Sequence, residues 1–545
     1  MNVVQEPMAV SQPLSDIYMR DYNKVKELYD YNPQTEEAWH ERAAWLDQTH
    51  ALRADRKALV SRLRSYNAER NPHEAVARSL DDLEDVNTLV VVGGQQSGLF
   101  TGPLLVIYKA LTIIQTARMA EKRLNRKVVP VFWIAGEDHD FDEVNHTYVL
   151  SSDLQVQKIK IDHPTGERSM VSQVQVPMDA WQQAIEELSA KLPNTEFKED
   201  FFAKLQSYAE VSCNLSDYYA RIFGMLFGEA GLVLLDSADS ALRSIEVPMF
   251  ERIIEDNDPL EEALMQSLQD VQDHQYNSQA DVTAGNANLF YIHEGTRLLL
   301  HKVDGRFTDR KQQVSFSRDE LQRLVQEHPE RFSNNVLTRP LMQDYLFPVL
   351  STVLGTGEIA YWALTHRAFH AFGFRMPIIV PRMSFTFVEG TVQKQMTKYE
   401  LSFADVVERF TVRKEAWLQA QDTLGLDVHF EDMKQQLNEL YEPILEKLAQ
   451  IQAGLGKLGE TNKQKVLEQV EFLQHRAAND LAKQNETALR HWERIHSSIL
   501  PLGKPQERVY NIFAYLNRYG LAWISSLYEI PLDLSGQHRV ISLPQ

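Results

Sequence analysis

Leu89-Val90-Val91-Val92-Gly93-Gly94-Gln95-Gln96-Ser97-Gly98-Leu99-Phe100-Thr101-Gly102-Pro103 decides the fold class. A continuous Val-rich run of this length reads as a strand covered on both faces. It stops at glycines, and apolar residues at i, i+3 and i+4 predict a helix over Pro103–Leu124. A second buried run, Val128–Ile134, ends in Gly136-Glu137-Asp138-His139-Asp140-Phe141-Asp142-Glu143. Strand, glycine turn, helix, strand and polar loop open a parallel α/β sheet with right-handed crossovers. Further buried strands are expected at Gly231–Leu235 and Pro377–Pro381, the latter running into Arg382-Met383-Ser384.

The rest of the chain arranges itself around that core. Residues 1–146 read as N-terminal helices and the first half of the core, 211–272 as its continuation and 328–390 as its second half. Residues 147–210 read as an insertion, with short strands at Gln155–Ile161 and Met170–Val176. Residues 273–327 read as a second insertion, in which Leu289–Ile292 and Arg297–Lys302 pair as a hairpin. Within 391–500, Leu437, Tyr441, Ile444, Leu448, Ile451, Leu455 and Leu458 step by four and three, an a/d seam. A second run, Val466, Val470, Leu473, Ala477 and Leu481, follows Gly454, Gly456 and Gly459, which read as the turn of an antiparallel coiled-coil hairpin. Two arms leave apolar surface uncovered, so a second copy is the expected partner. Residues 501–545 are expected to fold back on the core.

Composition excludes several classes. The 545 residues carry 76 acidic and 56 basic side chains, a net charge of −20. The broad basic footprint of nonspecific nucleic-acid binding is missing, and an anionic membrane surface is disfavoured. No run of about 18 apolar residues is present to span a bilayer. The single cysteine, Cys213, excludes an intramolecular disulfide and a thiolate-rich zinc site, and reads as a buried small residue. The N-terminal stretch lacks a basic-then-apolar leader. A cytoplasmic protein with neither nucleic-acid nor membrane partner is expected.

Five segments carry residues suited to chemistry. Gly94 to Gly98, between strand and helix, could hold an anion on backbone N–H groups, with Gln95 and Gln96 orienting it; a tight turn is the plainer reading. Glu137, Asp138, Asp140, Asp142 and Glu143 place five carboxylates around His139 at a strand's carboxyl end, where open α/β sheets bind ligands. They suit a substrate ammonium or Mg²⁺, or else form a solvated loop. His139 and His146 have no third histidine nearby, so no metal-ligand set is assigned. Asn335 and Arg339, in the segment Glu330–Pro340, suit hydroxyls and a carboxylate. Gly355-Thr356-Gly357-Glu358 could line a pocket, and Arg382 follows the last strand.

Taken together, VVVGGQQSGLFTGPL (90–104), FWIAGEDHDFDEVNH (132–146), EHPERFSNNVLTRPLMQ (327–343), GTGEIAYW (355–362) and PQERVYNIFAYLNRYG (505–520) resemble the cysteine-adding ligase family of bacillithiol biosynthesis. The likeness runs from Trp39–Leu46 to Gln537–Val540. It implies a Rossmann-like core with connecting-peptide insertions and a dimerising coiled coil. It also implies the last pathway step, joining cysteine to glucosaminyl-malate. Amide formation from a free carboxylate needs activation, so ATP, leaving ADP or AMP, and Mg²⁺ are expected. Related class I ligases hold ATP with an HIGH-type motif and a KMSKS-type loop; here Gln95–Gly98 has no histidine, and Arg382-Met383-Ser384 is a short match. On this reading Asp138 and His139 meet an amine, with His139 the general base and Gln96 beside them. Gly94, Gln95, Ser97, Gly98, Asp140, Asn335, Arg339 and Arg382 contact substrate. Gln506, Arg508, Asn511 and Tyr515 are the expected nucleotide contacts. The alternatives are another strand-end transferase and a non-catalytic scaffold built on the coiled coil.

Overall fold

A computed structural model describes residues 2–151, 153–166 and 168–544. The chain forms two compact units, Met1–Phe387 with Pro501–Ile541, and Val388–Leu500 with Ser542–Gln545. The strands that matter for function are β1 (Leu89–Gln95), β2 (Val128–Ile134), β3 (Val233–Asp236), β4 (Asn286–His293), β5 (Thr296–Val303), β6 (Val349–Leu354) and β7 (Ile378–Pro381). The helices are α1 (Leu104–Leu124), α2 (Ser240–Glu255), α3 (Arg339–Leu346), α4 (Thr356–Trp362), α5 (His366–Ala371), α6 (Leu426–Ile451) and α7 (Ala453–Gln484).

The core of the first unit is a parallel sheet in the order β7-β6-β1-β2-β3. β2 and β6 are buried along their whole length, as their unbroken apolar runs require. From β1 the chain steps outward to β2 and β3, then returns to place β6 and β7 on the other side. The order therefore reverses at β1, and the crevice at the carboxyl ends of β1 and β6 is the place where such a sheet binds ligands.

Gly93 and Gly94 prove to be strand residues. They pair with Phe132 and Trp133 in the β1–β2 ladder. A Cβ on Gly94 would stand 2.6 Å from the Trp133 carbonyl oxygen, so glycine is required here by close strand packing and not by a turn. The turn comes later: Phe100 and Thr101 both adopt positive φ, at 52° and 75°. For a β-branched residue such as Thr101 that conformation is strained by about 1–3 kcal/mol.

A buried charge cluster ties the N-terminal helices to the core. Arg42 donates from Nε to Val349 O at the start of β6 (3.0 Å), from Nη1 to Arg375 O (2.8 Å) and from Nη2 to Asp344 Oδ1 in α3 (2.5 Å). Arg53 Nη2 reaches the other Asp344 oxygen at 3.0 Å.

The insertions differ in detail from the sequence expectation. Val156–Lys160 pairs with His146–Leu150 as an antiparallel ribbon, but Met170–Val176 holds only a short 3₁₀ turn at Val171–Gln173. The β4–β5 hairpin forms, and its sheet extends beyond residue 327 because Phe332–Asn334 pairs with β4. Cys213 is exposed, not buried; it sits just before Asn214, whose side chain caps the helix Leu215–Phe227.

In the second unit α6 and α7 form the long helical hairpin. Its turn is at Gln452, which is extended (φ −161°, ψ 134°), while Gly454, Gly456 and Gly459 lie inside α7. A Cβ on Gly459 would come within 2.6 Å of Leu445 Cδ2, so the glycine serves close helix approach. Leu440, Ile444, Ile451, Leu458, Phe472 and Leu473 stay exposed.

Removing Asp344 leaves two buried guanidinium groups unpaired. Asp344→Ala should destabilise the first unit by about 3–5 kcal/mol, read as a lower urea midpoint by circular dichroism. An unchanged midpoint would show that the cluster contributes nothing to stability.

Candidate active site

At the reversal point lies a cavity of about 230 Å³ lined by Gly94, Gln95, Gln96, Trp133, Ala135, Asp138, Arg339, Pro340, Gln343, Thr352, Leu354, Glu358, Tyr361 and Trp362. Its size suits an amino acid or part of a larger substrate, being below the ~300–1,000 Å³ of drug-sized pockets. A larger open cleft of about 500 Å³ in the second unit, lined by Gly390, Gln393, Lys394, Thr397, Leu543 and Pro544, has one lysine and no carboxylate. The smaller cavity carries the convergent polar groups.

Its negative pole is Asp138. Gln96 Nε2 donates to Asp138 Oδ2 and to Glu143 Oε2, both at 2.8 Å, and the His139 backbone N–H donates to Asp138 Oδ1 at 2.7 Å. Burial pushes the Asp138 carboxyl up, but the Gln96 amide and the Arg339 charge outweigh it and hold it below the usual carboxylate range. Its positive pole is Arg339, tethered from Nε to Glu137 Oε1 at 3.3 Å. The terminal nitrogens of Arg339 have no hydrogen-bond partner among the described residues, and they suit a carboxylate. The buried Trp133 indole N–H on the same wall also lacks an acceptor.

Glu137 explains where these groups stand. It is fully buried and accepts from Arg243 Nη2 of α2 at 3.0 Å as well as from Arg339. Arg243 continues to Glu246 Oε2 at 2.5 Å. The floor is set by Lys109 of α1, buried, whose Nζ donates to Gly94 O (2.7 Å), Gln95 Oε1 (3.0 Å) and Glu358 Oε2 (2.5 Å). Burial lowers its pKa against the opposing pull of Glu358.

His139 is half-buried beside the cavity lining. Arg297 Nη1, on the β5 strand, approaches its Nδ1 at 3.4 Å, longer than a well-formed hydrogen bond. Arg297 is fixed by Ser333 Oγ (2.8 Å), Asn334 O (2.5 Å) and the face of Phe290 (3.8 Å). Burial lowers the His139 pKa, and the Arg297 charge lowers it further, both favouring the neutral imidazole. Nothing local in the sequence marks Arg297 or Lys109; both reach the site through tertiary packing.

Of the residues singled out from sequence, the structure gathers Gly94, Gln95, Gln96, Asp138 and Arg339 on the cavity and places His139 beside it. The others lie elsewhere. Ser97 Oγ is buried against Ser216 Oγ at 2.6 Å, and Gly98 packs on Gly102. Asp140 is exposed and caps the short helix Phe141–Val144. Asn335 accepts from the Leu337 and Thr338 backbone N–H groups and donates to Asn288 Oδ1. Arg382 is buried in a bidentate pair with Glu507 (2.6 and 3.2 Å). Gln506 bonds both ways with the Phe387 backbone, and Tyr515 stacks on Trp523. Asn511 Nδ2 donates to Phe100 O (2.6 Å) and Gly102 O (2.8 Å), pinning the strained turn after β1. Arg508 is exposed. The backbone, an ion pair or a ring thus accounts for Gln506, Asn511, Tyr515 and Arg382.

A triphosphate and Mg²⁺ do not fit this cavity as built. Gly93 and Gly94 belong to the sheet ladder instead of forming a phosphate loop, and Lys109 is committed to three oxygens. The acidic loop does not bring three ligand atoms to one point; among the described residues only Asp30, His366 and His370 do so.

Two family models match the chain: the N-terminal Rossmann-like domain of bacillithiol biosynthesis BshC over residues 1–383, and its C-terminal coiled-coil domain over 385–543. A curated relative from Bacillus cytotoxicus, described as "Putative cysteine ligase BshC", is 34% identical over 98% of this chain and 99% of its own. One of the same description from Bacillus cereus is 34% identical over 96% and 97%. A crystal structure described as "putative arginyl t-RNA synthetase" from Campylobacter jejuni is 11% identical, covering 78% of this chain and 93% of that one, with a TM-score of 0.21, a level that bears on neither fold nor activity.

The His139 imidazole should titrate at lower pH than an unperturbed histidine by NMR. Arg297→Gln removes a repelling charge and should move that titration to higher pH. A His139 pKa that is not depressed, or that ignores Arg297, would contradict the electrostatics described.

Proposed function

The chain belongs to the BshC family of bacillithiol biosynthesis, and from that premise we propose that it is a cysteine ligase joining cysteine to glucosaminyl-malate to form bacillithiol. The observation that carries the reading is the pairing, in one small cavity, of a carboxylate (Asp138) with a guanidinium (Arg339) whose terminal nitrogens are open. An amine and a carboxylate are the two poles such a reaction must hold.

Asp138, kept ionised, receives the amine as its ammonium. On the way to the amide the ammonium loses two protons, one to neutral His139 beside it and one to the leaving group, as the C–N bond forms and the C–O bond of the previously activated cysteine carboxyl breaks. Arg339 binds a carboxylate of the malyl group; Arg382, locked on Glu507, leaves that role to it. Gln96 holds Asp138 in place, and α4 closes the wall with Glu358, Tyr361 and Trp362. No step is assigned to a nucleotide in this cavity. The exposed seam of α6 and α7 supports a homodimer through the coiled coil. No helix among the described residues is long and apolar enough to cross a membrane. The lone cysteine supports a cytoplasmic setting.

Purified protein with glucosaminyl-malate, cysteine, ATP and Mg²⁺ should yield bacillithiol by mass spectrometry, with AMP or ADP recording any nucleotide consumed. His139→Ala should lower turnover by about 10²–10⁴-fold, and Arg339→Gln should raise KM for glucosaminyl-malate by about 10–100-fold. Full activity of both variants would sink the assignment; activity lost only on deleting the α6–α7 hairpin would favour a scaffold. By analytical ultracentrifugation the wild type should be a dimer, and Ile444→Glu with Phe472→Glu a monomer.

A further inference from the structure

Outside the cavity, Asp30, His366 and His370 converge their ligand atoms within 4.8 Å of one another. His366 and His370 are four residues apart on α5, so their rings project from one face. Both Nε2 atoms approach the same carboxylate oxygen, Asp30 Oδ1, at 3.0 and 2.9 Å. The second oxygen, Oδ2, accepts the Met376 backbone N–H at 2.6 Å, which fixes the carboxylate plane. Asp30 lies between two buried tyrosines, Tyr29 and Tyr31, and Tyr29 Oη donates to Ile359 O of α4 at 2.9 Å. Three donors from two distant parts of the chain are thus held by a rigid surround, as metal ligands are.

We propose that Asp30, His366 and His370 form a binding site for a divalent transition-metal ion of the zinc type. The spacing is close to what such an ion needs. Metal–ligand bonds of ~2.0–2.1 Å in a tetrahedral site put neighbouring donors about 3.3 Å apart. The nitrogen–oxygen separations here are a few tenths of an ångström shorter, so slight ring rotation accommodates the ion. Two imidazoles and one carboxylate favour zinc over magnesium or calcium, which take oxygen ligands. His370 is half-exposed, so the ion has a path in and the fourth position faces water. Of the like charges nearby, Arg367 is paired with Asp270 at 2.5 Å, and the Arg375 charge acts on His370 more weakly than the Asp30 carboxylate does.

The site's place in the fold gives it a role. α4 lines the cavity, and Ala363–Thr365 leads directly from it into α5. An ion shared by α5 and Asp30 staples that helical run to the N-terminal segment and holds the cavity wall from outside. It touches no reacting atom, so its role is positioning.

The test uses the full-length protein stripped with EDTA, dialysed against Zn²⁺ and washed, with metal read by elemental mass spectrometry. The expected result is one zinc per chain, a rise in Tm on adding Zn²⁺ but not Mg²⁺, and with Co²⁺ the visible absorption of a tetrahedral nitrogen–oxygen site. His370→Gln, at a half-exposed position, and Asp30→Asn should each lose the zinc and the Tm shift while keeping the wild-type circular dichroism. His139→Ala, at a histidine–carboxylate pair outside this site, should keep both. Wild-type protein that retains no zinc overturns the proposal, leaving Asp30 as a simple bridge between histidines. So does zinc retained equally by His370→Gln and Asp30→Asn.

Discussion

A carboxylate sealed from solvent costs several kcal/mol unless positive charge meets it inside the fold. Glu137 meets two, Arg243 of α2 and Arg339 of α3, and much of the site's geometry follows from that arrangement. Glu137 comes just after β2, so fixing it fixes where Asp138 and His139 leave the sheet. Arg339 begins α3, so the same contact sets one end of that helix. Asp344, in the last turn of α3, is held in turn by Arg42 and Arg53. The acidic loop, the cation opposite it and the N-terminal helices therefore belong to one chain of paired charges.

The surrounding polar groups follow the same logic of commitment. Lys109 and Gln96 each bond to more than one partner around the cavity, while among the described residues the terminal nitrogens of Arg339 and the Trp133 indole N–H have none. A small cavity whose walls are already hydrogen-bonded needs little rearrangement to receive a ligand. Behind it, burial of His538 lowers its pKa to about 4, and it lies between Ser384 and Thr386 while Glu507 holds Arg382. The C-terminal segment thereby fixes the chain just after β7.

Sequence made the sheet legible because unbroken apolar runs such as Val128–Ile134 leave few alternatives to a buried strand. It made the acidic loop legible as a cluster, but could not tell the buried Glu137 from its solvated neighbours, since the five carboxylates differ only in tertiary surroundings. The polar residues of the other motifs show the same limit. Ser97, Asn335, Gln506 and Asn511 are chemically fit to bind ligands, and here they satisfy the protein's own backbone or another side chain. Arg297 left no local trace because it lies in an insertion over 150 residues from His139. The histidine pair of α5 did leave one, a four-residue spacing on a helix, which gains meaning only once Asp30 is placed beside it.

The strand order also bears on how the chain is made. β1 lies between β2, its close successor, and β6, which is synthesised roughly 260 residues later. At ~5–20 residues per second, one side of β1 waits on the order of ten to fifty seconds for its neighbour. Arg42 waits longer still, with 302 residues separating it from Asp344 and 307 from the Val349 carbonyl. During that interval an apolar strand edge and a cation destined for burial stay uncovered on the nascent chain. The N-terminal region thus leaves the ribosome as a half-sheet that only its own distant continuation completes, and chaperone demand should be concentrated there.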